Sequence, residues 1–473
     1  MPAEQIQFGS QASGLEELAG APPLSVNALT DLSGAIRARP GISAWSDFPT
    51  EIPNASAVNS MAVFGDYLVY TTVDRKLWAW LGGGLVVPLS DTTSTTQLDG
   101  YSRPVPLSLR SRVVIAGGGA PQTWTGTGLS ARLGGSPPLM AHVVGIATRV
   151  VGSRADRTGI FQWSGLGDSG HETWDELNYS EAEAKPDLLM ALHDNTNEVF
   201  AFGAETLQVY SPDPYVGFAA GRTMRLGLLA PYSVINVDDV FAFLDRERRF
   251  VLTDGRGFSD ADSVVSKPIE ASLRGMSTTD DVWGTRLRTD RWDAGVWFFP
   301  TDGKGWIWDR RRNSWSEWRA WGSSGYTSPT ITSAVYWPER NLFLVGLSTG
   351  QIAQLSQSAY TDLGSIIKVE LVSGFIDHGT DNRKKCVSAT FTFRRGETAF
   401  GGTAPPVLIS WRDDTGAFGQ PTVLDLGAAG DNEPFVEIRS SGVYRKRQWK
   451  VEFTSSALFS FVSAREDFVL LDN

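Results

Sequence analysis

Hydrophobic and polar positions alternate along most of the chain, in short runs separated by turns rich in Gly, Asp and Asn. Two clear examples are the segments 240–257 and 295–318. Because successive side chains of a strand point to opposite faces, this pattern predicts half-buried antiparallel strands. The chain uses Gly 49 times and Trp 17 times, which favours strands and tight turns over helices. We therefore predict an all-β fold.

A unit of a strand ending in aromatics, a polar turn and a second strand recurs along the chain. Its apparent copies are 61–80, 109–126, 142–165, 188–213, 234–255, 291–318 and 332–357. This spacing fits the roughly 40 to 50 residues of a propeller blade, so we predict a six- or seven-bladed β-propeller. A run of β-sandwich modules is the alternative. Aromatics at equivalent strand ends, such as Trp78, Trp163, Tyr210 and Trp306, favour the propeller.

The pattern changes twice and predicts three regions. Residues 1–55 form an irregular N-terminal arm rich in Pro, Gly and Ser, residues 56–360 the propeller, and residues 361–473 a C-terminal β-sandwich with longer, regularly alternating strands. Two segments hint at helix, Ser13–Gly20 and Glu172–Asp187. Pro186 ends the second, which we predict to be an insertion between blades.

Charge and cysteine content narrow the function classes. The 473 residues carry a net charge of −11, which argues against broad attraction to nucleic acid. Basic clusters at 310–312, 383–385 and 445–447 are expected to be solvated loops or subunit contacts. The one cysteine, Cys386, is expected to be a buried apolar residue. With no signal peptide and no apolar run of about 20 residues, we expect assembly in a cytoplasm and no membrane anchor.

No residue pattern predicts a catalytic, cofactor-binding or metal site, and no cofactor is expected. The histidines are scattered, at 142, 171, 193 and 378, without metal-ligand spacing. There is no GxSxG elbow, and the glycines at 117–119 do not precede a helix.

A glycosidase would need two carboxylates about 5 to 10 Å apart across a pocket. The adjacent pairs 238/239, 280/281 and 413/414 are more typical of turns, because neighbours on a strand point to opposite faces. The tryptophans at 306, 308, 315, 318 and 321 are predicted to belong mainly to the core.

Three stretches carry a family resemblance. The first, Val26–Ile42, has a Gly-x-φ-Arg-x-x-Pro-Gly-φ core, where φ is apolar. The second is Glu172–Asp213, and the third combines the turn at 410–418, an Asn-Glu-Pro-Phe tetrapeptide and a basic-aromatic strand. Together they resemble the packaged-DNA stabilisation proteins, the tail-hub or nozzle family, of short-tailed bacteriophages. The residues that carry the match, to which we assign structural roles, are Gly34, Arg37, Pro40, Gly41, Pro186, Asp187, Asn432, Glu433, Pro434 and Phe435.

The resemblance implies a structural virion protein without enzymatic activity. Its subunits would form a homohexameric ring below the portal and adaptor proteins of the virion tail, after synthesis in the bacterial cytoplasm. The ring would be a passive channel for double-stranded DNA, retain the packaged genome and seat a tail needle or plug. A tailspike or fibre is a further candidate partner. The alternatives are a propeller glycan-binding protein or glycosidase of a phage tail, and a propeller scaffold outside any virus.

Overall fold

The computed structural model describes residues 3–8, 24–31, 33–49, 56–90, 103–182, 187–277, 281–394, 405–414, 416–426 and 435–471. The chain divides into two compact units. One, which we call the sandwich unit, comprises Met1–Ser43, Leu287–Pro329 and Ser356–Asn473; the other, the propeller unit, comprises Ala44–Arg286 and Thr330–Leu355. Residues within each unit contact one another more than they contact the other unit. The domain boundaries that the sequence predicts, at residues 55 and 360, stay a prediction.

Among its described residues, the propeller unit contains six antiparallel blades, four with four strands and two with three. Blade 1 contains β6 (Val58–Phe64), β7 (Tyr67–Thr72), β8 (Leu77–Trp80) and β9 (Val86–Pro88), and blade 2 contains β10 (Val105–Ser108), β11 (Val113–Ala116), β12 (Gln122–Trp124) and β13 (Ala131–Arg132). Blade 3 contains β14 (Met140–Ile146), β15 (Arg149–Arg154), β16 (Ile160–Ser164) and β17 (Trp174–Glu181), and blade 4 contains β18 (Leu189–Asp194), β19 (Val199–Gly203), β20 (Leu207–Asp213) and β21 (Gly217–Met224). Blade 5 contains β22 (Ile235–Val237), β23 (Val240–Leu244) and β24 (Phe250–Thr253), and blade 6 contains β31 (Ile331–Trp337), β32 (Leu342–Leu347) and β33 (Ile352–Ser356). The predicted all-β propeller is confirmed, with six blades.

Neighbouring blades share hydrophobic cores. Blades 1 and 2 bury Val69 against Ile115, and blades 3 and 4 bury Phe161 against Tyr210, whose ring centroids lie 4.9 Å apart. The first strands of successive blades also touch: β31 contacts β6, β6 contacts β10, β10 contacts β14, and β14 contacts β18. A blade that cannot bury its own faces is thus stabilised by its neighbours.

The sandwich unit contains two large sheets. In the first sheet the strand order is β3-β4-β43-β37-β40, with β1 paired to β43 and β41 paired to β37. In the second sheet, the strands that belong to this unit have the order β26-β27-β28-β2-β36-β42-β38-β39. Their bounds are β1 (Ala3–Ile6), β2 (Leu24–Val26), β3 (Ala28–Thr30), β4 (Ile36–Ala38), β26 (Asp293–Phe299), β27 (Lys304–Asp309), β28 (Ser314–Trp318), β36 (Val369–Val372), β37 (Lys384–Phe393), β38 (Pro406–Asp413), β39 (Thr422–Asp425), β40 (Phe435–Arg439), β41 (Val443–Tyr444), β42 (Arg447–Phe453) and β43 (Ser460–Leu470).

These two sheets bury one common core. Phe391 of the first sheet lies with its ring centroid 5.4 Å from that of Trp449 in the second, and both are buried. Strands that alternate inward and outward residues around a shared core form a sandwich. The two sheets thus form a β-sandwich, and the bounds predicted for it, residues 361–473, stay a prediction.

The remaining elements are short. They are β5 (Gly41–Ala44), β25 (Trp283–Arg288), β29 (Ala320–Gly322), β30 (Gly325–Thr327), β34 (Thr361–Asp362), β35 (Ser365–Ile366), the helices α1 (Gly167–Gly170), α2 (Asp260–Ser263) and α3 (Glu270–Arg274), and the 3-10 turns Lys267–Ile269 and Pro338–Arg340. None of the helices in the described ranges is long and apolar enough to cross a membrane.

The helix predicted within Glu172–Asp187 is wrong. Trp174–Glu181 form β17, the fourth strand of blade 3, which pairs antiparallel with β16. The Glu and Ala content that suggested a helix is overridden by the ladder hydrogen bonds to β16, because tertiary context outweighs a weak local propensity. The other predicted helix, Ser13–Gly20, lies outside the described residues.

The N-terminal arm contributes strands to the sandwich unit. β1 pairs with β43, β2 lies between β28 and β36, and β3 and β4 form a hairpin whose second strand pairs with β43. The short strands are widely separated and rich in turn residues, which explains why they gave no sustained period in the sequence. The prediction that segment 291–318 is a propeller blade is wrong, because this segment forms β26 to β28 of the second sandwich sheet.

Candidate functional site

The N-terminal motif forms the tight β3–β4 hairpin. Gly34 adopts a left-handed φ of +88°, which glycine accepts without strain. Asp31 closes the turn: its Oδ1 accepts hydrogen bonds from the Ser33 backbone and hydroxyl at 2.8 and 2.6 Å, and its Oδ2 accepts from Arg37 Nε at 2.6 Å. Burial alone would raise the pKa of Asp31, but the bonds from Ser33 and the Arg37 charge hold that pKa below its ordinary value. Gly34 and Arg37 therefore belong to one turn, which is closed by the buried Asp31–Arg37 pair.

Arg39, which sequence reasoning passed over, connects this motif to distant parts of the sandwich unit. Its guanidinium is buried and donates to both carboxylate oxygens of Asp362, at 3.0 and 2.6 Å. It also donates to Asn27 Oδ1 at 2.9 Å and to the Pro40 carbonyl at 3.0 Å, and lies 4.3 Å from the centroid of a Trp318 ring. The sequence does show a basic residue, Arg39, between two apolar ones. It does not reveal the partner, Asp362, which lies hundreds of positions away.

Gly41 lies where two backbones meet. A Cβ added at this residue would lie 2.5 Å from the carbonyl oxygens of both Ala359 and Thr361. No side chain fits at that distance. The Pro-Gly pair of the motif thus permits the close approach that places Asp362 beside Ile42, whose backbone N–H it accepts at 3.2 Å.

Asp187, from the second motif, caps a hairpin loop in blade 4. Its carboxylate accepts hydrogen bonds from the backbone N–H groups of Glu205 and Thr206, at 2.9 and 2.7 Å, and from the Thr206 hydroxyl at 3.0 Å. Its role is structural, since three donors of a loop are satisfied at once. The preceding motif residue, Pro186, lies outside the described residues.

The C-terminal motif is described only in part. Asn432, Glu433 and Pro434 lie outside the described residues, whereas Phe435 begins β40 and pairs with Thr392 of β37. Phe435 is 67% exposed, unlike the other apolar residues of its strand, Val436 and Ile438, which are buried.

The adjacent carboxylates Asp413 and Asp414 serve two structural purposes. Asp413 binds the fully buried Arg447 through two hydrogen bonds, from Nε at 2.7 Å and from Nη2 at 2.9 Å. Asp414 accepts from the backbone N–H groups of Arg445 and Lys446, at 3.2 and 3.1 Å. Asp413 is thus part of a buried ion pair, and Asp414 stabilises a turn.

The prediction that the basic clusters are solvated is wrong for two members. Arg447 and Lys384 have no exposed area. The Lys384 ammonium donates to the carbonyls of Thr380 and Asn382, at 2.6 and 2.9 Å. Arg447 also contacts Glu466, which is itself fully buried. Buried charges require partners, which these networks supply.

The predicted core roles are confirmed for Cys386 and for four of the five tryptophans, whereas Trp321 is half-buried. Trp306, Trp308, Trp315 and Trp318 are each 2% exposed. Burial raises the pKa of the Cys386 thiol to about 11, so it is not a reactive thiolate at neutral pH.

The histidines do not converge on a metal site. In the described ranges, no group of three or more His, Cys, Asp or Glu side chains is arranged to hold an ion. His171 Nε2 lies 3.3 Å from the Thr148 carbonyl, and His378 Nε2 lies 2.8 Å from the Tyr444 hydroxyl. His142 and His193 line a cavity instead.

That cavity, which we call the axial cavity, lies among the first strands of blades 1, 2, 3, 4 and 6 and the segment entering blade 5. Its volume is about 190 Å³, and its lining includes Ser60, Arg103, His142, His193, Tyr232 and Trp283. Arg103 lies 4.5 Å from the centroid of a Trp283 ring and donates to the Thr332 carbonyl at 2.6 Å. The His142 ring stacks on that of Tyr232, with centroids 5.3 Å apart. Sequence reasoning missed this group because its members come from well-separated segments.

A second exposed feature is the outer edge of blade 3. No described strand pairs with the outer edge of β17, and its Leu177 and Tyr179 are 81% and 47% exposed. On blade 4, Tyr215 is 94% exposed. Exposed apolar groups beside an open strand edge are typical of surfaces that contact other proteins.

Comparisons with known proteins bear on the blades. Residues 67–289 match the model of the family described as "Bacteriophage P22 Gp10, beta-propeller". No curated protein sequence matches the chain significantly. A solved structure of the computationally designed Ika8 protein is 12% identical, covers 67% of this chain and 99% of that chain, and has a TM-score of 0.39. One of BBS1N in complex with ARL6DN is 14% identical, covers 68% and 98%, and has a TM-score of 0.41.

The family match begins at the start of β7 in blade 1 and continues through blade 5 to the end of β25. It thus covers three strands of blade 1 and all of blades 2 to 5, and the family description names the same fold. The resemblance seen in the sequence motifs is confirmed: residues 67–289 match a bacteriophage family that is described as a β-propeller.

Proposed function

We propose that this chain is a tail-hub or nozzle subunit, which forms a homohexameric ring below the portal and adaptor and extends the DNA channel. In this role the ring retains the packaged genome and seats a tail needle or plug. The observation that carries the proposal is the family match over residues 67–289. The N-terminal motif supports it from outside the matched segment, because Gly34, Arg37 and Gly41 each have a defined place in the sandwich unit.

The charge of the chain suits a passive DNA channel. Each phosphate that a protein neutralises adds salt-dependent affinity for DNA, which would slow a genome moving through the channel. A subunit with a net charge of −11 avoids that attraction. Many of its arginines are already occupied by carboxylates or carbonyls, as Arg39 and Arg447 are.

The surface of the propeller unit offers groups for protein contacts. Interfaces are enriched in aromatic residues, and the exposed Tyr179 and Tyr215 are of this kind. The open edge of β17 adds unpaired backbone groups among the described residues. These features support a chain that works in contact with other virion proteins.

The use of the carboxylates supports a role without catalysis. Asp413, Asp414, Asp187 and Asp31 each satisfy donors of the chain's own loops and arginines. A glycosidase needs one carboxylate as an acid and a second facing it across the substrate. Asp413 and Asp414, which bind Arg447 and the backbone of a turn, do not form such a pair, so we do not advance that function.

The decisive experiment is the mass of the assembly. The purified chain is examined by native mass spectrometry alone and with a portal–adaptor complex. We expect six copies on the complex; a chain that remains monomeric and unbound would overturn the proposal. In parallel, particles lacking the chain are assayed for nuclease-sensitive DNA. We expect them to lose their genome, whereas full retention would contradict a role in holding DNA.

A further inference from the structure

The axial cavity has an unusual balance of charge. Its lining, as far as the described residues form it, includes one arginine and two histidines but no Asp or Glu. In a chain with 53 acidic and 42 basic residues, a polar cavity with this lining stands out. The carboxylate nearest in sequence, Asp194, follows His193 on β18 and points to the other face of the strand.

The Arg103 guanidinium lacks an anionic partner. Among the described residues no carboxylate lies within ion-pair distance of it, and its Nη2 donates a hydrogen bond to the Thr332 carbonyl. A guanidinium has five N–H donors, so most of its hydrogen-bonding capacity is not used by described residues. Partly buried charges without compensation are costly. The contact with the Trp283 ring offsets only part of this cost.

The two imidazoles have free hydrogen-bonding capacity as well. His142 is 3% exposed, and neither its ring nor that of His193 makes a hydrogen bond to a described residue. Aromatic contacts hold both rings: His142 stacks on Tyr232, and the His193 ring centroid lies 5.8 Å from that of Phe202. Each neutral imidazole can donate one N–H to a guest.

We propose that the axial cavity binds a small oxyanion, a phosphate or a carboxylate, between the Arg103 guanidinium and the imidazoles of His142 and His193. Arginine suits oxyanions because its planar fork donates paired hydrogen bonds. The volume of about 190 Å³ accommodates such an anion with a few waters and is far too small for a nucleic-acid duplex. The site is separate from the proposed ring function and does not depend on it.

Desolvation at the site supports this assignment. Burial lowers the pKa of Arg103 to about 10, and it lowers the pKa of His142 to about 3. Both groups are therefore in an environment where a bound anion would stabilise the charged form. Anion binding and proton uptake by the histidines should consequently be coupled.

The chain has four histidines, which makes imidazole NMR a direct test. The full chain is titrated with inorganic phosphate and, separately, with acetate. We expect the resonances of His142 and His193 to shift with a saturating dependence, while those of His171 and His378 stay in place. The anion with the lower dissociation constant shows whether the cavity prefers a phosphate or a carboxylate. If neither anion moves the first pair, or if all four shift alike, the proposal is wrong.

Substitutions provide the second arm. Arg103→Gln should weaken binding of the preferred anion by roughly tenfold or more, because a charge-assisted hydrogen bond is lost. The matched control is Arg340→Gln: Arg340 also lies on a tryptophan of the propeller unit, 4.4 Å from the Trp337 ring, but it has a carboxylate partner in Asp47. Unchanged affinity in Arg103→Gln would overturn the site. If that variant does not fold, the NMR titration of the wild-type chain still tests whether the cavity binds an anion.

Discussion

The guanidinium of Arg39 donates to both carboxylate oxygens of Asp362, at 3.0 and 2.6 Å, although 323 positions separate the two residues. The Arg39 side chain has no exposed area and that of Asp362 is 14% exposed. Water therefore cannot replace the carboxylate if it is lost. This one pair joins the N-terminal motif to the C-terminal part of the chain within the sandwich unit.

We expect Asp362→Asn to lower the free energy of unfolding by about 3 kcal/mol, because it leaves a buried guanidinium without a counter-charge. Urea denaturation at neutral pH measures this loss. The matched control is Glu437→Gln, which breaks the ion pair with Arg439, 79% exposed, in the same unit. That change should cost less than about 1 kcal/mol, since solvent screens exposed pairs. Equal costs for the two variants would contradict the role assigned to the buried pair.

The two glycines of the N-terminal motif should differ in their tolerance of alanine. Gly41→Ala places a Cβ 2.5 Å from two backbone carbonyl oxygens, so the backbones must separate. We expect a loss of about 3 kcal/mol or more, measured by thermal or urea unfolding. Gly34→Ala meets no described atom within 4 Å but must adopt a φ of +88°, which costs about 1 kcal/mol.

Gly257→Ala is the control for this comparison, because its Cβ would meet open space among the described residues and its φ is not positive. It should leave stability nearly unchanged. If Gly34→Ala proved more costly than Gly41→Ala, the close approach of the two backbones would not be the reason for glycine at the second position.

The cap provided by Asp187 can be tested within blade 4. Asp187→Ala removes the acceptor of the Glu205 and Thr206 backbone donors, and we expect a loss of about 1 to 3 kcal/mol in urea denaturation. Asp213→Ala is the matched control, because Asp213 also accepts two backbone N–H groups of a turn, from Tyr215 and Val216, but both of these bonds are exposed, whereas the bond from Thr206 to Asp187 is partly buried. Water can replace it, so its removal should cost less. A larger effect at Asp213 would contradict this account.

The sequence predicted the all-β class, the propeller and the sandwich because their signals are local. Alternation and turn residues repeat within each blade, and the tryptophans at 306, 308, 315 and 318 are buried as expected. The prediction failed where local and tertiary preferences conflict. Trp174–Glu181 resemble a helix in composition but form a strand because β16 supplies hydrogen-bond partners.

The candidate sites were harder to predict from the sequence. Arg103, His142 and His193 enter the propeller on three different strands or their approaches, and no spacing rule connects them. Arg447 belongs to a cluster that reads as a basic surface loop, yet it lies on an inward position of β42 opposite Asp413. In both cases the partner across the fold decides the role, and a single sequence does not reveal which segments become neighbours.

The buried histidines predict a loss of stability in acid. Burial lowers the pKa of His142 to about 3 and that of His193 to about 4, against an ordinary value of 6.5. Between these values the unfolded chain binds more protons than the folded chain, so stability falls as the pH drops below about 6.5. From about pH 7.5 to about pH 5, each histidine should remove about 2 kcal/mol. Asp194 opposes this trend, because burial raises its pKa to about 6.

His142→Gln isolates one histidine from the other groups. We expect its unfolding free energy, measured by urea denaturation near pH 7.5 and pH 5, to fall by about 2 kcal/mol less than that of the wild type, since Asp194 and His193 contribute equally to both proteins. Met140→Leu, a buried change on the same strand, should shift stability equally at both pH values. If His142→Gln lost as much stability in acid as the wild type, His142 would have to be protonated in the folded chain, and its place among unpaired donors in the axial cavity would need another explanation.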